Sequence, residues 1–173
     1  SSGSLGHGLS VALGIALALR MDGLPGQVFT LMGDGESQEG QVWEAVMAGG
    51  HFGLGNLTAI VDYNDLQIDG KVSDIMDVAP LPDKYKAFGW SVRAIDGHDM
   101  EEIIEALEWG RSENGPAAII ARTTKGKGVS FMEGKAEWHG VAPKPEQAEQ
   151  ALDELGKEAK ALEEKIGGAA GGS

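Results

Sequence analysis

The sequence predicts an α/β protein: a parallel sheet flanked by helices, ending in an amphipathic helix. Three observations lead there. Short apolar runs of strand length alternate along the chain with longer segments of helical period. Two of those runs, Val28 to Met32 and Leu57 to Val61, lead into oxygen-bearing side chains, Asp34 and Asn64. Past Pro145 the apolar residues Ala148, Ala151, Leu152, Leu155, Ala159, Leu162 and Ile166 recur at steps of three and four.

The elements follow in order. Gly8 to Arg20 is rich in alanine and leucine and reads as a helix, stopped by Met21-Asp22-Gly23 and Pro25-Gly26. Val28 to Met32 is a short apolar run suited to a buried parallel strand. Gly40 to Phe52 reads as a helix with Val42, Val46 and Met47 on one face. Leu57 to Val61 is the next strand. Residues 65–82 read as a long loop carrying Asp69-Gly70 and Pro80-Leu81-Pro82, with a short helix from Pro82 to Phe88. Trp90 to Ile95 is a third strand. Asp99 with Glu102 three residues on forms a capping box for a helix to about Trp109. Pro116 to Arg122 is a fourth strand. These assignments divide the chain into a domain over residues 1–144, an amphipathic helix over 145–166 and a flexible Gly/Ala tail over 167–173.

Composition sets outer limits. The chain has 173 residues, enough for a compact domain with its own core. No apolar run reaches the length of a membrane span and no signal peptide is visible, so the expected setting is cytoplasmic. There is no cysteine, hence no disulfide or thiolate chemistry. The formal net charge of −13 disfavours a nucleic-acid role, which calls for a basic patch. It also means that an anionic ligand must be held by local devices: a metal, a lysine, a helix N-terminus.

The chemistry concentrates in Gly33-Asp34-Gly35 and in Asn64, 29 residues beyond Gly35. If the two strands lie side by side and parallel, Asp34 and Asn64 meet at the carboxyl edge of the sheet, where open α/β sheets bind ligands. A carboxylate and an amide oxygen are hard ligands suited to Mg²⁺ or Ca²⁺, and Mg²⁺ commonly completes its shell with phosphate oxygens and water. Glycines beside Asp34 let a diphosphate approach the backbone. Each residue also has a plainer reading. Gly-Asp-Gly suits a tight turn, and Asn64 suits an Asx turn. Lys125 and Lys127 suit a solvated loop, and an isolated His139 suits a hydrogen-bonded surface position. His7, His51 and His98 read as structural; His98 lies in Asp96-Gly97-His98-Asp99, a turn before a helix.

Gly-Asp-Gly followed at this distance by Asn resembles the signature of thiamine diphosphate enzymes, and QEGQVWEA with NDLQIDG is similar to transketolase. Gly3-Ser4-Leu5-Gly6-His7-Gly8 resembles the family loop beside the aminopyrimidine. Thr123-Thr124-Lys125-Gly126-Lys127-Gly128 resembles its Lys-Gly-basic-Gly segment, and Trp138-His139-Gly140 the motif that ends its cofactor-binding half. The four motifs stand in family order from residue 3 to about 143.

The resemblance implies a thiamine diphosphate-binding fold acting in the cytoplasm, with Asp34, Asn64 and the Leu66 carbonyl on Mg²⁺ or Ca²⁺. It implies Gly35 against the diphosphate, Asn64, Lys125 and His139 among the cofactor contacts, and Gly3, Ser4 and Leu5 facing the aminopyrimidine. His139 is the implied catalytic residue, assisting proton transfer to a substrate oxygen. Glu39 resembles a family glutamate linking two cofactor sites across a dimer, although a plain surface carboxylate is the other reading. The implied reaction transfers a two-carbon unit from a ketose phosphate to an aldose phosphate, as in the pentose phosphate pathway. The cofactor carries the hard chemistry while the protein supplies position and charge. A glutamate-bearing domain or C-terminal subunit is the implied partner, in a dimer of such pairs, as in a split transketolase. The chain opens inside a motif, so an upstream segment is expected too. The alternatives are the alpha subunit of a 2-oxo-acid dehydrogenase, a deoxyxylulose-phosphate synthase, or a non-catalytic assembly subunit. NDLQIDG and Trp-His-Gly favour transketolase over the first two.

Overall fold

The computed structural model describes residues 3–170. In chain order it contains α1 (Gly8–Met21), β1 (Val28–Gly33), a 3-10 turn (Gly35–Gln38), α2 (Gly40–Phe52) and β2 (Leu57–Tyr63). A hairpin of β3 (Leu66–Gln67) and β4 (Gly70–Lys71) follows, then α3 (Val72–Ile75), α4 (Leu81–Ala87), β5 (Ser91–Asp96), α5 (Met100–Ser112) and β6 (Ala117–Arg122). A second 3-10 turn (Ala136–Trp138) precedes α6 (Pro145–Ala170). The described chain divides into two compact units. One is the chain up to Gln67 with Lys71–Thr123; the other is Ile68–Gly70 with the chain from Thr124 onward. The expected domain boundary at residue 144 lies within the second unit.

In the first unit, four strands form a wholly parallel sheet in the order β1-β2-β6-β5. The central strands are the most apolar, as burial on both faces requires. Period-two alternation splits their side chains between two layers. Ala59, Val61, Ala118 and Ile120 join Leu9, Ala16, Val42, Val46, Leu81, Tyr85 and Trp90 in the larger cluster, beneath α1, α2 and α4. Ile119 and Ala121 point the other way and meet Ile95 and Ala106, with Ile60, Ile103 and Leu107 beside them.

Several expectations shift. On α2 the buried face is Val42, Ala45, Val46 and Gly49, whereas Met47 is 55% exposed. Met47 stands five residues from Val42, about 140° around the axis, so the helical period turns it outward. Trp43 is half-buried against the core and donates its indole N–H to the Ser37 carbonyl at 2.8 Å. Residues 65–82 do not form a plain loop, since they hold the β3–β4 hairpin and α3, and Leu81 already begins α4. The capping box is half formed. Asp99 accepts from the Glu101 and Glu102 N–H groups, but Glu102 turns away to accept from Asp96 N–H at 2.8 Å. The Asp99 N–H is already satisfied by the Asp96 carbonyl.

In the second unit, a glycine-containing turn packs on α6. Gly126 and Gly128 have φ of 69° and 86°, values that favour glycine. A side chain at Gly128 would come within 3.0 Å of Leu155 and Glu158. Ser130 donates its N–H and O–H to Glu154 at 2.7 and 2.8 Å. The stripe of Leu152, Leu155, Leu162 and Ile166 is exposed. The helical backbone continues through Ala170, four residues beyond the expected end at 166, and residues 171–173 lie outside the described residues. No helix among the described residues is long and apolar enough to cross a membrane.

Candidate cofactor and metal site

The register of β1 and β2 aligns Gly33 with Asp62, so the two strands end level. The ladder extends one residue further, with Asp34 N–H donating to the Asp62 carbonyl at 3.1 Å. The chain then turns at Asp34, which caps the 3-10 turn by accepting from Gly35 N–H at 2.8 Å. Its other oxygen accepts from Asp65 N–H at 2.6 Å. This hydrogen bond joins the GDG loop to the turn that carries Asn64. Asp34 is 1% exposed. Burial pushes its carboxyl above the ordinary carboxylate value, the N–H groups of Asp65 and Gly35 pull it back, and the charges of Asp62 and Asp65 raise it again.

Asn64 bridges its own turn. Its amide oxygen accepts from Leu66 N–H at 2.9 Å, and its amide nitrogen donates to Asp62 at 3.0 Å. The second Asp62 oxygen accepts from the Thr123 hydroxyl at the end of β6, and Thr123 N–H donates to the Tyr63 carbonyl at 3.2 Å. Three adjacent strand ends, those of β1, β2 and β6, are therefore locked by polar contacts at one edge.

The loop ahead of α1 is tied to the same edge. Glu36 accepts from Gly6 N–H at 2.8 Å and from Gly33 N–H at 3.4 Å. Gly6 has φ of 82°, and a Cβ there would lie 2.8 Å from the Glu39 Cβ. Gly3, Ser4, Leu5 and Glu39 are exposed. At Gly35 a Cβ would come within 3.2 Å of the Gln67 amide oxygen. A side chain there would require the Gln67 side chain to shift by a few tenths of an ångström.

Among the expected site residues, the first unit thus brings together Asp34, Gly35, Asn64 and Leu66, with Gly3, Ser4 and Leu5 on the tethered loop. Lys125 and His139 belong to the second unit. The Lys125 carbonyl accepts from Gly134 N–H at 2.8 Å, which closes the turn around residues 126–133. His139 is exposed and ends the 3-10 turn, with its N–H on the Ala136 carbonyl at 2.8 Å. Lys127 pairs with Glu133 at 3.5 Å. Sequence reasoning missed Glu36, Asp62, Asp65 and Thr123. The signal for the three carboxylates was the density of acidic residues around the two motifs, and Thr123 stood in the Lys-Gly-basic-Gly segment without an assigned role; nothing in residue type alone shows which carboxylate is aimed at a backbone N–H.

Residues 1–164 match the model of the transketolase family described as its thiamine diphosphate binding domain. The chain belongs to the transketolase family. It is 48% identical over 159 residues to a 6-deoxy-6-sulfo-D-fructose transketolase subunit of Clostridium sp., an alignment covering 91% of this chain and 58% of that protein. It is 44% identical over 169 residues to an apulose-4-phosphate transketolase subunit of Phocaeicola vulgatus, covering 97% of this chain and 60% of that one. The crystal structure of transketolase from Campylobacter jejuni superposes with a TM-score of 0.86 at 33% identity, over 90% of this chain and 26% of that chain. The chain therefore spans less than two thirds of each of these relatives. The match is to transketolases, the reading that NDLQIDG and Trp-His-Gly favoured over the other thiamine diphosphate enzymes.

The residues of this transketolase domain fit a divalent cation carrying a diphosphate. Among the described residues no three His, Cys, Asp or Glu side chains converge into a ligand cluster, and no ion pair includes Asp34. The edge holds one buried carboxylate, Asp34, and the amide oxygen of Asn64, both hard donors. A single carboxylate with neutral oxygens leaves coordination positions for phosphate and water, which is how Mg²⁺ is commonly bound. A cation would also relieve the three crowded carboxylates of Asp34, Asp62 and Asp65.

Proposed function

We propose that this transketolase domain is the cofactor-diphosphate-binding half of a two-part transketolase, which transfers a two-carbon ketol unit from a ketose to an aldose phosphate. The observation that carries the reading is the buried Asp34 carboxylate hydrogen-bonded to the turn containing Asn64, at the carboxyl edge of a parallel sheet. Asp34, the Asn64 amide oxygen and the Leu66 carbonyl hold Mg²⁺ or Ca²⁺. Gly35 admits the diphosphate to the backbone, and Lys125 and His139 contact it. The loop of Gly3, Ser4 and Leu5 faces the aminopyrimidine, held in place by Glu36. Thiamine diphosphate, when bound, supplies the carbon that carries the two-carbon unit. His139 holds or donates a proton at a substrate oxygen.

The partner is a second subunit or domain, in a dimer of such pairs, acting in the cytoplasm. The relatives' names include 6-deoxy-6-sulfo-D-fructose and apulose-4-phosphate. We therefore take the donor class to be a ketose with an anionic terminal group, pentose phosphate pathway sugars among them.

The test is a titration of the full-length chain with thiamine diphosphate and Mg²⁺, for the wild type and for Asp34→Ala. The wild type binds in a Mg²⁺-dependent manner. The variant keeps its circular dichroism and unfolding midpoint and loses that binding. Equal affinity in the variant removes Asp34 from the site, and a wild type without metal-dependent binding overturns the proposed function.

A further inference from the structure

Asp65 is the single non-glycine residue with positive φ among the described residues, at 57°. The left-handed conformation crowds a Cβ, and Asn and Asp tolerate it better than other side chains do. Four of its polar atoms are engaged. Its N–H donates to Asp34 at 2.6 Å, and its carbonyl accepts from Val72 N–H at 3.1 Å. One carboxylate oxygen accepts from Ser73 N–H at 2.8 Å and the other from the Ser73 hydroxyl at 2.9 Å. Asn64 and Leu66, which flank it, are joined across it by the Leu66 N–H to Asn64 hydrogen bond of 2.9 Å.

A helix cap alone needs only the two contacts to Ser73. A turn alone is served better by glycine. The combination does something neither does: it fastens one end of the turn to the candidate metal carboxylate and the other to the first turn of α3. Asn64 and Leu66 flank the residue that carries both anchors.

We propose that Asp65 is a positioning residue for the metal, a left-handed tie that holds the Asn64–Leu66 turn in register with Asp34 by anchoring its own carboxylate on Ser73. The inference rests on the metal site of the proposed function. Through this tie Ser73, which is not itself one of the candidate ligands, contributes to cation affinity.

The variants are Asp65→Gly, Asp65→Asn and Ser73→Ala in the full-length chain. Glycine takes the left-handed backbone freely but removes the carboxylate. Asparagine tolerates the backbone and keeps one acceptor for Ser73. Amide hydrogen exchange over residues 62–76 is measured without ligand, together with the unfolding midpoint. The Mg²⁺ concentration for half-maximal thiamine diphosphate binding is then measured, followed by cofactor affinity at saturating Mg²⁺.

In Asp65→Gly the amides around Ser73 exchange faster and the Mg²⁺ requirement rises roughly tenfold or more, the scale expected when a group orienting a metal ligand is lost. Cofactor affinity at saturating Mg²⁺ stays at the wild-type level. Ser73→Ala shifts the requirement in the same direction and Asp65→Asn restores part of it. A wild-type Mg²⁺ requirement in Asp65→Gly overturns the proposal. So does a shift that merely follows the loss in unfolding midpoint across the three variants, the signature of a plain cap. A wild type that binds no thiamine diphosphate with Mg²⁺ overturns the proposed function instead. In that event the exchange data still decide the tie, and unchanged exchange in Asp65→Gly refutes it.

Discussion

At Asp34, burial and the neighbouring carboxylates oppose ionisation while two backbone N–H groups support it. Among the described residues no ion pair includes Asp34, and in the proposed function the compensating charge is the cation's. Thr58 shows the opposite case, a buried polar atom with no such use. It is fully buried on β2, its hydroxyl has no hydrogen-bond partner, and it lies against Gly110 of α5, where a Cβ would come within 2.9 Å of that oxygen. A buried hydroxyl without a partner costs its desolvation. Thr58→Val keeps the shape and removes the polar atom. We expect it to raise stability by about 1 kcal/mol in urea unfolding. A loss of stability would show that the hydroxyl has a partner in solution.

Among the elements, α2 owes its position to two adjacent glycines. A Cβ on Gly49 would stand 2.7 Å from the Trp90 ring, and one on Gly50 would stand 1.8 Å from the Phe88 carbonyl oxygen. The ring has some freedom to shift; the backbone carbonyl has little. Gly50→Ala should therefore destabilise the chain by about 3 kcal/mol or more, despite the better helix propensity of alanine. A midpoint close to wild type would mean that α2 slides without cost.

In the second unit, the contact of α6 with Ser130 depends on the charge of Glu154. The Ser130 N–H, then the Gln150 amide and the Ser130 hydroxyl, hold that carboxyl below its ordinary value of 4.5. The unfolded form takes up a proton first as pH falls. The contact is thus at full strength above pH 4.5 and is lost as pH drops through the depressed value. Protection of the Ser130 amide should persist from neutral pH to about 4.5 and fade below it, whereas Glu154→Gln should show no such transition. The same acid-side loss in the glutamine variant would point to another group.

For the whole molecule, the apolar side chains left exposed are as informative as the core. Val11 and Ile15 on α1 and Met47 on α2 are 60%, 49% and 55% exposed. We predict that the first unit buries this surface against another chain. Sizing with light scattering, alone and with the C-terminal counterpart, should show association, and a monodisperse monomer in both runs would contradict it. Activity is predicted to follow the same division. The chain alone should give no ketol transfer with saturating cofactor and Mg²⁺, because in the proposed function groups positioned on a partner complete the site and are not replaced by solvent. The full-length first subunit with the second subunit should convert xylulose 5-phosphate and ribose 5-phosphate to sedoheptulose 7-phosphate. His139→Ala should impair that assembly and His98→Ala should leave it nearly unchanged. Sedoheptulose 7-phosphate from the isolated chain would refute the two-part site, and equal effects of the two histidine changes would remove His139 from it.

Local pattern in the sequence was enough to assign the alternating strands and helices, because apolar period reports which segments are buried on one face or two. It also singled out Asp34 and Asn64, because a ligand edge lies where apolar strands run into oxygen-bearing residues, and the transketolase family through four motifs in order. Period does not report which strands are neighbours. β5 precedes β6 in the chain yet takes the outer edge. The β3–β4 hairpin was invisible because two-residue strands carry no period. The placement of Met47 depended on counting rotation around a helix axis against a core that only packing defines. Above all, the left-handed turn at Asp65 and its ties to Asp34 and Ser73 are contacts between residues up to 31 positions apart. Residue type does not encode such a meeting; it exists only once the sheet has brought the ends of β1 and β2 level.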